Sequence, residues 1–310
     1  MLNFHFDFNL FNSNYYLYER LLVFLFSLVP AILLVVFILY TDRKSKEPIK
    51  NILLCLFSGM LTISLARELE TFIMPYISNN ILLTYIFAFM EEISKMGIFI
   101  IFIFDNKYFD DIYDGIVYMS LIALSFAGIE NIMYAFSEST VTESITLALM
   151  RDFTTIPLHV ICGVVIGYFL SLSSFSKDIK HKIINIIFAI TVSTLIHGTF
   201  NNLMTLLSDI EVNPDSSLQI LLFTILPLVL IMIVLLIIAI KYINKTLELN
   251  EIYIHNQKYD NKYKYLMVYD DFLSSPSFIQ RKKRYNVLKI NKSKKVNDSI
   301  DELLEIVDKS

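Results

Sequence analysis

Between Glu91 and Asn201 the chain sets Glu91, Glu92, Lys95, Glu130, His159 and His197 into segments otherwise apolar enough to span a bilayer. A charged residue at the centre of a membrane helix costs about 2.5–3.5 kcal/mol on insertion scales. Summed over these groups, the cost rivals the stability of an ordinary domain, about 5–15 kcal/mol. Such groups persist where they meet one another in a protein interior or a wet cavity, so they read as one polar site. Carboxylates with imidazoles suit the activation of water: a Glu as general base, with a second acid or a His as proton donor and oxyanion stabiliser. The same residues also allow a metal site. His159, His197 and Glu130 offer three ligands, the usual number at a catalytic zinc, with Glu91 or Glu92 left as base. Lys95 beside the acid pair needs no metal to explain it, which tips the expectation towards the metal-free form.

The spacing places these groups on helix faces. Glu91 and Lys95 are four apart and Glu92 and Lys95 three apart, so one lysine can bridge both acids. Phe126 lies one turn before Glu130, and Ala127 and Gly128 admit a close neighbouring helix. Gly163 and Gly167 form a small-residue pair below His159, and Asn201 lies four after His197, where it can orient the ring. Taken singly, Glu130 and His159 have packing explanations, and the Glu91–Glu92–Lys95 group could be a purely structural ion cluster.

The elements that carry them follow from composition. The 310 residues are 55% hydrophobic and only 18% charged, against about a quarter charged in soluble domains. Mean hydropathy is +0.57. An all-α polytopic membrane protein is expected, with about seven transmembrane helices near 20–40, 49–66, 81–104, 114–136, 152–174, 183–207 and 218–243. Loop 41–50 carries Arg43, Lys44, Lys46 and Lys50, loop 105–113 carries Lys107, and loop 175–182 carries Lys177, Lys180 and Lys182. Lys241 and the residues after it hold 14 more, whereas the opposite side keeps Arg20, Arg67 and Arg151. The positive-inside rule then puts the N-terminus outside and the C-terminus in the cytoplasm. Counted from the outer ends of the spans at ~1.5 Å per residue, the acid and imidazole groups fall about 9–20 Å deep, a single layer in the outer half.

The expected organisation is an extracytoplasmic segment 1–19, a seven-helix domain 20–243, and a polar cytoplasmic tail 244–310. Residues 1–20 lack the basic start of a signal peptide, so the first helix should be retained. Phe4, Phe6, Phe8, Phe11, Tyr15, Tyr16 and Tyr18 read as interfacial anchors. Cys55 and Cys162 should be buried thiols. In the tail, Ser299 and Glu302 form a capping box ahead of a short amphipathic helix, and Arg281–Arg284 could touch anionic lipid, although a solvated tail is the simpler reading.

Glu91-Glu92-x-x-Lys95, Phe126-x-x-x-Glu130, His159 and His197-x-x-x-Asn201, in that order on separate spans, resemble the PrsW family of intramembrane proteases, which is related to the CAAX prenyl endopeptidases. Asp42-Arg43 through Glu47-Pro48, and Asp114-Gly115-Ile116-Val117-Tyr118, also look like family signatures, so the motif core covers 40–205. Some relatives carry Asp where Asn201 stands, which leaves open whether this position is a ligand, an acid or an orienter of His197. The resemblance implies a site-1-type protease of the cell membrane. It would clip single-pass membrane proteins, notably anti-sigma factors, near their extracytoplasmic face, by a glutamate-based or zinc-dependent mechanism. Expected partners are that substrate and the lipid bilayer, and not nucleic acid. The catalytic set would be Glu91, Glu92, Lys95, Glu130, His159, His197 and Asn201. The chain lacks His-Glu-x-x-His, a Gly-x-Ser-x-Gly elbow and an intramembrane Asp pair, which disfavours other intramembrane protease classes. Two different classes also compete. A proton-coupled transporter would spread its polar groups along the bilayer depth and show repeats. A silent binding or immunity protein of the same fold would be expected to lose an acid or a His.

Overall fold

The computed structural model describes residues 15–42, 46–176, 178–208 and 226–257, which form helices and their connections. Helix α1 (Leu17–Thr41) starts at a box in which the Tyr16 backbone N–H donates to Glu19 Oε2 at 2.7 Å. Helix α2 (Ile49–Ile73) follows Pro48 and ends in the single 3-10 turn Met74–Tyr76. Helix α3 (Asn80–Phe102) is capped by Asn79, whose side chain accepts from the Leu82 N–H at 2.9 Å. This cap satisfies one of the donors that a helix start leaves open. Then come α4 (Asp114–Ala135), α5 (Val141–Phe153), α6 (Thr155–Ser174), α7 (Ile179–Ser208) and α8 (Leu226–Gln257).

Among the described residues six stretches are long and apolar enough to cross a membrane: Leu17–Thr41, Ile49–Tyr76, Asp114–Ala135, Val141–Ser174, Ile179–Leu206 and Leu230–Leu249. Helix α3 also has spanning length, at 23 residues, but carries Glu91, Glu92 and Lys95. The protein is therefore an all-α, multi-pass membrane protein. Apolar side chains point outward from α1, where Leu33 is 63% exposed, as a lipid-facing helix requires.

Helix α4 is buried on nearly every face, which is why its sequence is apolar all round. It packs against α1, α2, α3, α5 and α6, and α6 packs in turn against α7 and α8. The α4–α6 crossing is set by glycine. A Cβ on Gly115 would lie 2.7 Å from the Gly167 carbonyl oxygen, and one on Gly163 only 3.0 Å from Ala123 Cβ. Backbones meet here as small-residue pairs in membranes allow, and this close approach brings Glu130 of α4 near His159 of α6.

Several expectations change. The segment before the fifth span is not an open external loop: α5 occupies it, and the chain breaks at Thr154 before α6. Helix α2 runs seven residues beyond the expected end at 66, to Ile73. Helix α8 continues to Gln257, so the change from apolar to polar near 244 is not a helix boundary. Tyr15 is not an interfacial anchor: it is buried, and its hydroxyl meets the Glu138 carbonyl and Ser144 Oγ, each at 2.9 Å. Tyr16 and Tyr18 are exposed as expected. Cys55 and Cys162 are buried free thiols. Phe4, Phe6, Phe8, Phe11, the stretch 218–225, Arg281–Arg284 and the Ser299–Glu302 box lie outside the described residues.

Candidate active site

Helices α3, α4, α6 and α7 each deliver polar groups to one buried volume. The spacing on α3 works as helical geometry dictates. Lys95 Nζ donates to Glu92 Oε1 at 2.8 Å and reaches Glu91 Oε2 at 3.4 Å. It also lies 3.0 Å from His159 Nδ1 and 4.0 Å above the Phe126 ring. Lys95 and Glu92 are fully buried, while the Glu91 side chain keeps 12% of its surface.

These partners dictate the imidazole tautomers. An ammonium can only donate, so His159 Nδ1 accepts from Lys95, and its Nε2–H donates to Glu130 Oε2 at 3.2 Å. A carboxylate can only accept, so His197 Nδ1–H donates to Glu92 Oε1 at 2.8 Å. That leaves His197 Nε2 with a free lone pair, 4.0 Å from Glu91 Oε2. The two rings stand edge to face, 4.9 Å apart. Glu92 Oε1 thus receives two donors, whereas Glu92 Oε2 is buried with no partner among the described residues.

The positive-inside reading counts Arg151, in the last turn of α5, only as an outer-side charge. Instead its Nη2 donates to Glu130 Oε2 at 2.6 Å, and the guanidinium lies 4.0 Å over the Tyr134 ring. Asn131 holds α5 in place by donating to the Ser27 carbonyl at 3.1 Å and to Asp152 Oδ1 at 3.0 Å. One signal for this was in the sequence. Thr140 and Glu143 form a capping box, which announces a helix whose last turn carries Arg151.

One ligand atom from each of Glu91, Glu92, His159 and His197 lies within 4.8 Å of the others. Two imidazoles and two carboxylates are donors that suit zinc: His197 would ligate through Nε2, Glu92 through its unpartnered Oε2, and His159 through the Nδ1 lone pair, which an ion would take over from Lys95. This differs from the expected ligand trio of His159, His197 and Glu130. Glu130 is drawn aside by Arg151 and backs His159, the position a second carboxylate takes behind a metal-ligating histidine. Among the described residues the His197 ring is held by Glu92 at 2.8 Å, and no hydrogen bond joins it to Asn201.

If Arg151 positions Glu130, replacing it by Met should cut activity about 10–100-fold, the range seen for outer-shell partners. Arg151→Lys should restore part of it, since a point charge replaces a fork. Turnover and melting of the purified variants check this: a loss of melting alone would mark Arg151 as merely structural.

A helical membrane bundle with a buried acid–imidazole centre defines an intramembrane hydrolase type of protein. Residues 47–238 match the PrsW family intramembrane metalloproteases, so the chain belongs to the PrsW family and is a peptide hydrolase. It is 28% identical over 194 residues to Protease PrsW of Bacillus subtilis (strain 168), covering 59% of this chain and 83% of that protein. It is 30% identical over 178 residues to Protease PrsW of Oceanobacillus iheyensis, covering 56% of this chain and 79% of the relative. The same name belongs to a Clostridioides difficile (strain 630) protein, 28% identical over 188 residues, covering 59% of this chain and 79% of the relative. No solved structure matches the chain.

Proposed function

We propose that this intramembrane protease cuts single-pass membrane proteins near their extracytoplasmic face, with anti-sigma-factor-like proteins as the substrate class. The convergence of Glu91, Glu92, His159 and His197 within a membrane-spanning bundle carries the reading. Glu92, His159 and His197 would hold a zinc-type ion, which would polarise the scissile carbonyl and make water acidic enough to attack at neutral pH. Glu91 is the general base, because it is the one acid of the pair with exposed surface and loose partners. It takes a proton from water as the oxygen adds to the peptide carbonyl. The C–N bond then breaks, and the proton passes to the leaving amine. Glu92 anchors Lys95 and His197, while Glu130 and Arg151 hold His159.

A metal-free glutamate mechanism has one observation in its favour: the Lys95 ammonium sits among Glu91, Glu92 and His159 and already supplies a cation.

The test compares the membrane proteomes of cells expressing the wild type and Glu91→Gln, tracking single-pass proteins for loss of their outer domains. A shortened protein seen only with the wild type is expected. Identical proteomes, with both proteins present and folded, would move the reading to a silent binding protein.

A further inference from the structure

A second polar cluster lies at the opposite end of α4 from Glu130. Asp42 follows α1, Glu47 precedes α2, and Asp110, Asp111 and Asp114 open α4. Part of it has an ordinary structural purpose. Asp111 Oδ1 accepts from the N–H groups of Tyr113 at 2.8 Å and Asp114 at 3.1 Å, capping α4. Asp114 Oδ2 accepts from the N–H groups of Asp110 at 2.9 Å and Asp111 at 2.8 Å. Tyr118 donates its hydroxyl to Glu47, and Asn51 Nδ2 donates to that hydroxyl at 3.0 Å.

These bonds leave acceptors over. Among the described residues no N–H or hydroxyl donor reaches Asp111 Oδ2 or Asp114 Oδ1, Asp114 lies within hydrogen-bonding reach only of the carboxyls of Glu47 and Asp111 on that side, and Asp111 and Asp114 are 3% and 0% exposed. One oxygen each from Asp42, Glu47 and Asp114 lies within 4.8 Å of the others, and the same holds for Asp110, Asp111 and Asp114. Asp114 is common to both groups, and among the described residues no Lys or Arg pairs with any of these acids. A buried carboxylate oxygen that meets no donor is costly unless a proton or a cation meets it.

We propose that Asp114, with Glu47, Asp42 and Asp111, forms a second cation site that binds a hard divalent ion of the calcium or magnesium class and clamps the α1–α2 connection to the start of α4. The donors are all oxygen, which selects hard cations over zinc. Separations up to 4.8 Å are about twice a Ca–O distance of 2.3–2.6 Å, so one ion can touch several of these oxygens. This site is separate from the active centre, since it uses neither histidine nor any residue of α3, α6 or α7.

The test uses the full-length protein in detergent, stripped with a chelator, with Mn2+ as probe in electron paramagnetic resonance and Ca2+ as competitor. Saturable Mn2+ binding, displaced by Ca2+, is expected in both wild type and His197→Ala. It should weaken at least about tenfold when Glu47→Gln is added to His197→Ala, because one charged ligand is lost. Ca2+ should also raise the melting midpoint of wild type by a few degrees and that of Glu47→Gln by much less. Asp42→Asn serves as the second variant should Glu47→Gln fail to fold. The proposal is overturned if His197→Ala shows no saturable Mn2+ binding up to about 10 mM, above the range of weak calcium sites. It is equally overturned if binding persists unchanged when Glu47→Gln or Asp42→Asn is added to His197→Ala.

Discussion

Glu92→Gln is expected to abolish peptide cleavage and to lower the melting midpoint as well, whereas Glu91→Gln should abolish cleavage with the fold left nearly as stable. The difference follows from what each carboxylate touches. Glu92 is fully buried, and its Oε1 receives both Lys95 at 2.8 Å and His197 at 2.8 Å. An amide there leaves the buried ammonium without its nearest counter-charge, and breaking a buried pair from one side costs about 3–5 kcal/mol. Glu91 is 3.4 Å from Lys95 and partly exposed, so its loss removes a proton acceptor while the lysine keeps Glu92. Removing a positioned general base costs about 10²–10⁴ in rate. Cleavage of a reporter substrate, measured beside thermal melting of both variants in detergent, checks the split. Full activity in Glu91→Gln would end its assignment as base.

Chelation is expected to have the other large effect. Extended dialysis of the purified enzyme against a chelator should bring cleavage to background, and added zinc should restore it. Metal analysis should find about one zinc per chain in wild type and close to none in His197→Ala, since a three- or four-donor site rarely survives loss of an imidazole. The donor set suits the ion: two imidazoles and two carboxylates lie within 4.8 Å, and Glu92 Oε2 has no hydrogen-bond partner among the described residues. The family's description as metalloproteases points the same way. If activity survives metal-free preparation with no zinc bound, Lys95 supplies the positive charge and water is activated by the glutamates alone. Cleavage and metal content are read separately, so an enzyme that binds zinc without using it would also be recognised.

Much of the protein was legible in the order of its residues. Hydrophobic length sets where a chain can cross a bilayer, so the spans carrying Glu91, Glu130, His159 and His197 were placed within a few residues of α3, α4, α6 and α7. Helical spacing alone joined Lys95 to both acids, because residues three and four apart share a face. The cost of charge in hydrocarbon then required these groups to meet, whatever the fold. Tertiary structure alone decided who meets whom. Sequence spacing favours Asn201 as the partner of His197, whereas the α3–α7 contact supplies Glu92 Oε1 at 2.8 Å. Glu130 looked like a metal ligand until α5 folded back and Arg151 took its carboxylate. Which oxygen is left over, Glu92 Oε2 at one end of α4 or Asp114 Oδ1 at the other, depends on helix crossings such as Gly115–Gly167. Local rules fix which residues share a face and how deep they lie. The pairing of groups across helices is a matter of tenths of ångströms, set by packing between segments far apart in the chain.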